Sequence, residues 1–226
     1  MDDPVKEQTK KLGLWPLFYL VLFSVAMAYL ESAVVVYLRA LYYPQGFSFP
    51  LIMMEKRIAL VEIGRELTTL VMLVAVAYFA GKAFYERFAL FCIMFGIWDI
   101  FYYVWLKVLL DWPQSLFTWD ILFLIPVPWI GPVLSPVVVA TSLIVGGGLI
   151  LRKLHSGGIF VPNLLEWAIA LGGALLILLS YTSDLNAGLD FSMPRPYRWE
   201  LLAVGEVSAF YALARSLIRT RRTGEQ

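Results

Sequence analysis

"RIALVEIGRELTTLVMLVAVAYFAG", residues 57–81, reads as a helix built to cross a bilayer, yet Glu62, Arg65 and Glu66 stand in its first third. Their i, i+3, i+4 spacing puts all three on one helix face, with Thr69 one turn further on. A charge at the bilayer centre costs at least about 2.5–3.5 kcal/mol on insertion scales. This face therefore has to turn from lipid toward neighbouring helices. The stretch implies a membrane bundle with a polar site inside it.

Composition agrees. The chain has 226 residues, of which 60% are hydrophobic and 15% charged, with a mean hydropathy of +0.74. Soluble domains are nearer 45–50% apolar and 25% charged. A net charge of +1 gives no footprint for nucleic acid. The one cysteine, Cys92, excludes an internal disulfide and any multi-cysteine metal site.

Six apolar segments are long enough to cross a hydrocarbon core, which takes about 20 residues. They are Leu14–Leu38, Ile58–Ala80, Phe88–Leu110, Val133–Leu151, Leu164–Tyr181 and Trp199–Leu217. They lack the short-range alternation of barrel strands, so they are expected as helices. The expected fold is an all-α six-helix membrane bundle, 1–226 forming a single transmembrane domain. The apolar run of the first segment is too long for a signal peptide and reads as a retained span.

Basic residues set the orientation. With the N-terminus inside, the inner ends and loops hold eleven: Lys6, Lys10, Lys11, Lys82, Arg87, Arg152, Lys153, Arg215, Arg219, Arg221 and Arg222. The outer side holds five: Arg39, Lys56, Arg57, Arg195 and Arg198. Both termini are thus expected in the cytoplasm, with the chain in the plasma (inner) membrane as a multi-pass protein. The outer connection "DWPQSLFTWDILFLIPVPWIGPVLSP" is apolar but interrupted by Pro126, Pro128, Pro132 and Pro136. It is expected as an interfacial loop, with a re-entrant loop as the alternative, and Trp112, Trp119 and Trp129 suit an aromatic belt.

Depth along each helix follows from a rise of about 1.5 Å per residue. Glu62, Arg65 and Glu66 lie about 8–14 Å along the second span, Glu31 about 12 Å inward of Arg39, and Glu206 about 10 Å into the sixth span. Asp99 lies about 18 Å along the third span, on one stripe with Tyr103 and Lys107. Four helices thus bring ionisable groups to the outer half of the membrane. Glu31, Glu62, Glu66, Asp99 and Glu206 face Arg39, Arg65 and Lys107, five acids to three bases. Glu66 and Asp99 are expected to share one polar cavity. The candidate solute- or ion-binding residues are Glu31, Glu62, Arg65, Glu66, Asp99, Tyr103, Lys107 and Glu206; a purely structural set of ion pairs is the competing reading. The glycines 146–148 are expected to admit a close helix neighbour. Glu166, near an inner end, is expected to reach headgroups or Arg152.

His155 is the one histidine, so a bis-histidine haem and a Ser-His-Asp triad in the outer half are both excluded. "EIGRE" resembles the acidic-arginine motif of CAAX-type intramembrane proteases, but those also use helix-borne histidines that this chain lacks. No cofactor or metal is expected. The first functional reading is binding or transport of a small solute or ion, with proton coupling open. The alternatives are a non-catalytic subunit assembled with other membrane subunits, and a lipid-modifying membrane enzyme. The expected partners are the lipid bilayer and that small solute or ion.

Overall fold

Long apolar runs make helices here, and the computed structural model shows six of them among the described residues, 13–125, 127–184, 192 and 194–219. They are α1 (Leu14–Tyr42), α2 (Lys56–Ala80), α3 (Phe84–Leu110), α4 (Leu134–His155), α5 (Leu164–Thr182) and α6 (Trp199–Arg219). Five of them, all but α2, are long and apolar enough to cross a membrane. They give the chain the character of a multi-pass membrane protein. Most helices run a few residues past the expected ends, because Arg39, Arg87, Arg152, Lys153 and His155 continue the helix rather than stop it. Lys6, Lys10, Lys11, Arg221 and Arg222 of the charge count, and Pro126 of the loop, lie outside the described residues.

Helix α3 is central: it packs against α1, α2 and α4, while α5 packs on α6, and α6 touches α4. Side chains tie α1 to α3, with Trp105 Nε1 donating to the Val25 carbonyl at 3.1 Å and Ser32 Oγ donating to that of Tyr102 at 3.0 Å. Glycines set the closest approaches. A Cβ on Gly147 of α4 would stand 2.6 Å from the Ala89 carbonyl oxygen of α3. Gly173 of α5 and Gly205 of α6 oppose each other in the same way. Close backbone contact through small residues is a usual way for helices to associate where lipid removes the hydrophobic drive. Of the 146–148 run, only Gly147 serves this role; Gly148 faces open space.

The connection from α3 to α4 departs from the all-α expectation. Trp119–Phe123 (β1) and Trp129–Pro132 (β2) pair antiparallel, Asp120 opposite Gly131. Trp119, Ile121 and Phe123 are β-forming residues at period two, and Pro128 and Pro132 fall just before β2 and at its end, where a hairpin tolerates them. Pro136 sits in the first turn of α4, where no amide partner is lost. The tryptophans do not form an exposed belt. Trp112 is buried, Trp129 stacks on Tyr181 with centroids 5.9 Å apart, and Trp119 meets Tyr197 edge-on. The hairpin thus folds in against the helix ends.

Helix α2 is polar on the inside and apolar on the outside. Its buried stripe runs Glu62, Glu66, Thr69, Leu73 and Ala77, while Val61, Leu67, Val71 and Val74 are exposed. That inversion answers the question raised by the opening stretch. The lower part of the stripe joins an apolar core with Met27, Leu90, Met94 and Trp98. At the far end, Glu166 is buried and caps α5 with Asn163, each backbone amide accepted at 2.8 Å by the other's side chain. Its partners there are Arg219 at 3.1 Å and Arg215 at 3.6 Å, on α6, in place of the expected headgroups or Arg152.

Candidate functional site

Side chains from α1, α2, α3 and the hairpin line a half-open cavity of about 120 Å³ at the hairpin end of the bundle. Its walls include Glu31 and Arg39 from α1, Glu62, Arg65 and Glu66 from α2, Trp98, Asp99 and Tyr102 from α3, and Asp120 to Leu124 from the hairpin. Glu66 and Asp99 therefore line one cavity.

Two arginines organise it. Arg65 donates from Nε to Glu62 Oε2 at 2.9 Å and ion-pairs through Nη1 with Glu31, which also accepts from the Thr69 hydroxyl. One guanidinium thus bridges two carboxylates on two helices, using the forked geometry that only arginine supplies. Arg39 donates from Nη2 to Asp120 Oδ1 at 3.2 Å. Its guanidinium carbon lies 3.7 Å from the centroid of Trp112 and 4.5 Å from that of Phe47. Arg39 is consequently buried rather than at a membrane surface: the hairpin carries a carboxylate down to it, and two rings cover its faces.

The hairpin is held at a second point. The Leu124 amide donates to Glu66 Oε2 at 2.8 Å. Arg39–Asp120 and Glu66–Leu124 together fasten the connection from α3 to α4 onto α1 and α2. Burial pushes the Asp120 carboxyl up to about 6, against the opposing pull of Arg39, the Ile121 amide and the Tyr103 hydroxyl. Its Oδ2 meets no donor in hydrogen-bonding geometry.

The eight residues named from the sequence divide. Glu31, Glu62, Arg65, Glu66 and Asp99 come together at the cavity. Tyr103 is buried behind Asp120, packed with Leu106, Trp112 and Val133. Lys107 stands apart: half exposed, it pairs with Asp111 at 2.7 Å and reaches the Asp111 and Pro113 carbonyls at the end of α3. Its long stem lets it leave the stripe for the helix end. Glu206 also stands apart, on α6 facing Ser142 of α4, and does not line the cavity. Asp120 is the residue that sequence reading missed. It was one acid in an apolar loop, and the signal that could have found it is the run of β-forming Trp119, Ile121 and Phe123 around it.

The balance at the cavity is therefore five carboxylates, Glu31, Glu62, Glu66, Asp99 and Asp120, to two guanidiniums, Arg39 and Arg65. Comparison of the chain with protein-family models, with curated proteins and with solved structures finds no match.

Proposed function

We propose that this chain is a six-span membrane protein that binds a small polar or cationic solute in the cavity beneath the hairpin. The observation that carries the reading is the excess of carboxylates over guanidiniums around one half-open cavity. A set of structural ion pairs alone would balance its charges, since an unpaired buried charge is the costly state. Including α2 as the sixth span is supported by its inverted pattern, with charge toward the bundle and apolar side chains outward. The apolar core below the cavity offers no polar route to the other end, so passage of the solute requires helices to move apart there. Proton coupling through Glu66 or Asp99 extends the same reading.

Binding is tested on the purified protein in lipid nanodiscs by thermal unfolding against a panel of inorganic cations, organic cations, sugars and anions. A member of the panel is expected to raise the Tm, and Glu66→Gln and Asp99→Asn are expected to remove the rise. A Tm unmoved by every member, or a rise that persists in both variants, overturns solute binding at this cavity.

The positive-inside count supports cytoplasmic termini and an outward-facing hairpin. Single cysteines at Gln114 and Gln226, in a Cys92→Ala background, are expected to react with an impermeant maleimide from opposite sides, Gln114 from outside. Labelling of both from one side would refute this topology.

A further inference from the structure

A second opening lies at the other end of the bundle, where α4 and α6 both finish. It is an open cleft of about 450 Å³, inside the range of about 300–1,000 Å³ usual for ligand sites. Its walls are Leu149, Arg152, Lys153 and Ser156 from α4 and its cap, with Leu217 and Ile218 from α6. No carboxylate lines it.

Arg152 and Lys153 are cations that the fold leaves unpaired. Nearby, Arg215 and Arg219 pair with Glu166, His155 meets Glu86, and Arg87 donates to the Gly81 carbonyl and lies over the Tyr78 ring. The Arg152 and Lys153 side chains have no ion pair or hydrogen bond among the described residues. Nor do they cap their own helix. Basic side chains near a helix C-terminus often bond its last carbonyls, but here backbone amides do so. Ser156 donates to the Arg152 carbonyl at 3.1 Å, Gly157 to that of Leu154 at 3.1 Å and Gly158 to that of Lys153 at 3.0 Å. The Ser156 hydroxyl adds a bond to the Lys153 carbonyl at 2.8 Å. Both cations are therefore open to a partner outside the chain.

The order of side chains along the cleft describes that partner. Leu149 stands one turn before Arg152 and Lys153, so it shares their side of α4. It is exposed, as is Ile218. The cleft is thus apolar toward the middle of the helices and doubly basic at their ends. A phospholipid runs in the same order, acyl chain and then phosphate. The guanidinium fork fits phosphate oxygens, and the ammonium adds a point charge. With no carboxylate present, nothing holds the ammonium of a zwitterionic headgroup. A free phosphate would leave the apolar wall uncovered. The last seven residues of the chain carry Arg221 and Arg222 against Glu225, so their net charge has the same sign as the cleft and does not complement it.

We propose that this cleft binds one anionic phospholipid, its phosphate between Arg152 and Lys153 and an acyl chain along Leu149, Leu217 and Ile218. The site is separate from the acidic cavity and does not depend on what that cavity takes. On the topology proposed above it meets the cytoplasmic leaflet, which is the anionic one.

The test uses the full chain in a neutral detergent, titrated with phosphatidylglycerol, phosphatidylcholine or glycerol phosphate, with bound molecules counted by native mass spectrometry. One phosphatidylglycerol is expected to bind at least about tenfold more tightly than phosphatidylcholine. The double variant Arg152→Gln, Lys153→Gln is expected to lose that preference. Arg221→Gln with Arg222→Gln removes the same charge from the tail and is expected to keep it. Ile218→Glu leaves both cations in place and adds a carboxylate to an exposed wall; it is expected to weaken phosphatidylglycerol at least about fivefold. It carries the test alone if the Arg152, Lys153 variant does not fold. Equal affinity for the two lipids overturns the proposal. Equal loss in the two double variants overturns it too, since it would show diffuse attraction to basic charge. Glycerol phosphate binding as tightly as the lipid would make the cleft an anion site without a lipid, and would equally sink it.

Discussion

Replacement of Arg65 by leucine is expected to lower the Tm in detergent or nanodiscs by roughly 6–20 °C, whereas Lys107→Leu moves it by no more than about 2 °C. Arg65 bridges Glu31 and Glu62 within the bundle. Removing it leaves two buried carboxylates facing each other, and breaking a buried pair from one side costs about 3–5 kcal/mol. Lys107 is half exposed and serves helix-end carbonyls and a largely solvated Asp111, a setting in which an ion pair contributes little. The combined variant Glu31→Met, Glu62→Met, Arg65→Met is expected to recover most of the loss, since the penalty lies in stranded charge rather than in the absence of the pair. Indistinguishable unfolding of Arg65→Leu and Lys107→Leu would show that Arg65 is not central to the packing of α1 on α2.

Opposite signs are expected from two adjacent glycines. Gly147→Ala places a methyl group 2.6 Å from the Ala89 carbonyl oxygen and 2.8 Å from the Ile93 side chain. Backbone cannot yield as a flexible side chain does, so α3 and α4 must separate, at a cost of about 1–3 kcal/mol or more. Gly148→Ala meets nothing within 4 Å and exchanges glycine for the best helix former, a gain of up to about 1 kcal/mol. Gly96→Ala, where the new methyl would run into the Ala140 carbonyl oxygen across the same interface, is expected to behave as Gly147→Ala does. Thermal unfolding of the three variants side by side checks this. A Gly147→Ala protein as stable as the parent would mean that the two backbones do not touch there.

Hydropathy and spacing carried the helical architecture far, because a residue's preference for lipid is a local property that survives without knowledge of its neighbours. The charged face of α2 was legible for the same reason: Glu62, Arg65, Glu66 and Thr69 can share only one face of a helix. Depth arithmetic brought Glu31 and Asp99 to the level of that face. It could not say which way a stripe turns, so Lys107 and Glu206 were grouped with partners they do not meet. The hairpin was hidden for a different reason. β1 carries Asp120 as its one polar residue among Trp119, Ile121, Leu122 and Phe123, so its polarity does not alternate as in a half-exposed strand. Asp120 and the burial of Arg39 followed the hairpin out of view, since each needs the other's position to be understood.

The order of partners along the chain has a consequence for assembly. Glu31 precedes Arg65, and only the segment between α1 and α2 separates their helices. On the six-span reading proposed above, a chain entering the bilayer from its N-terminus already holds a counter-charge when the helix carrying Arg65 arrives, and the two can partition as a pair. Asp120 and Leu124 come later, after α3. Until they do, Arg39 and Glu66 wait unsatisfied. A nascent chain stopped before residue 120 would hold three helices around an open, charged gap.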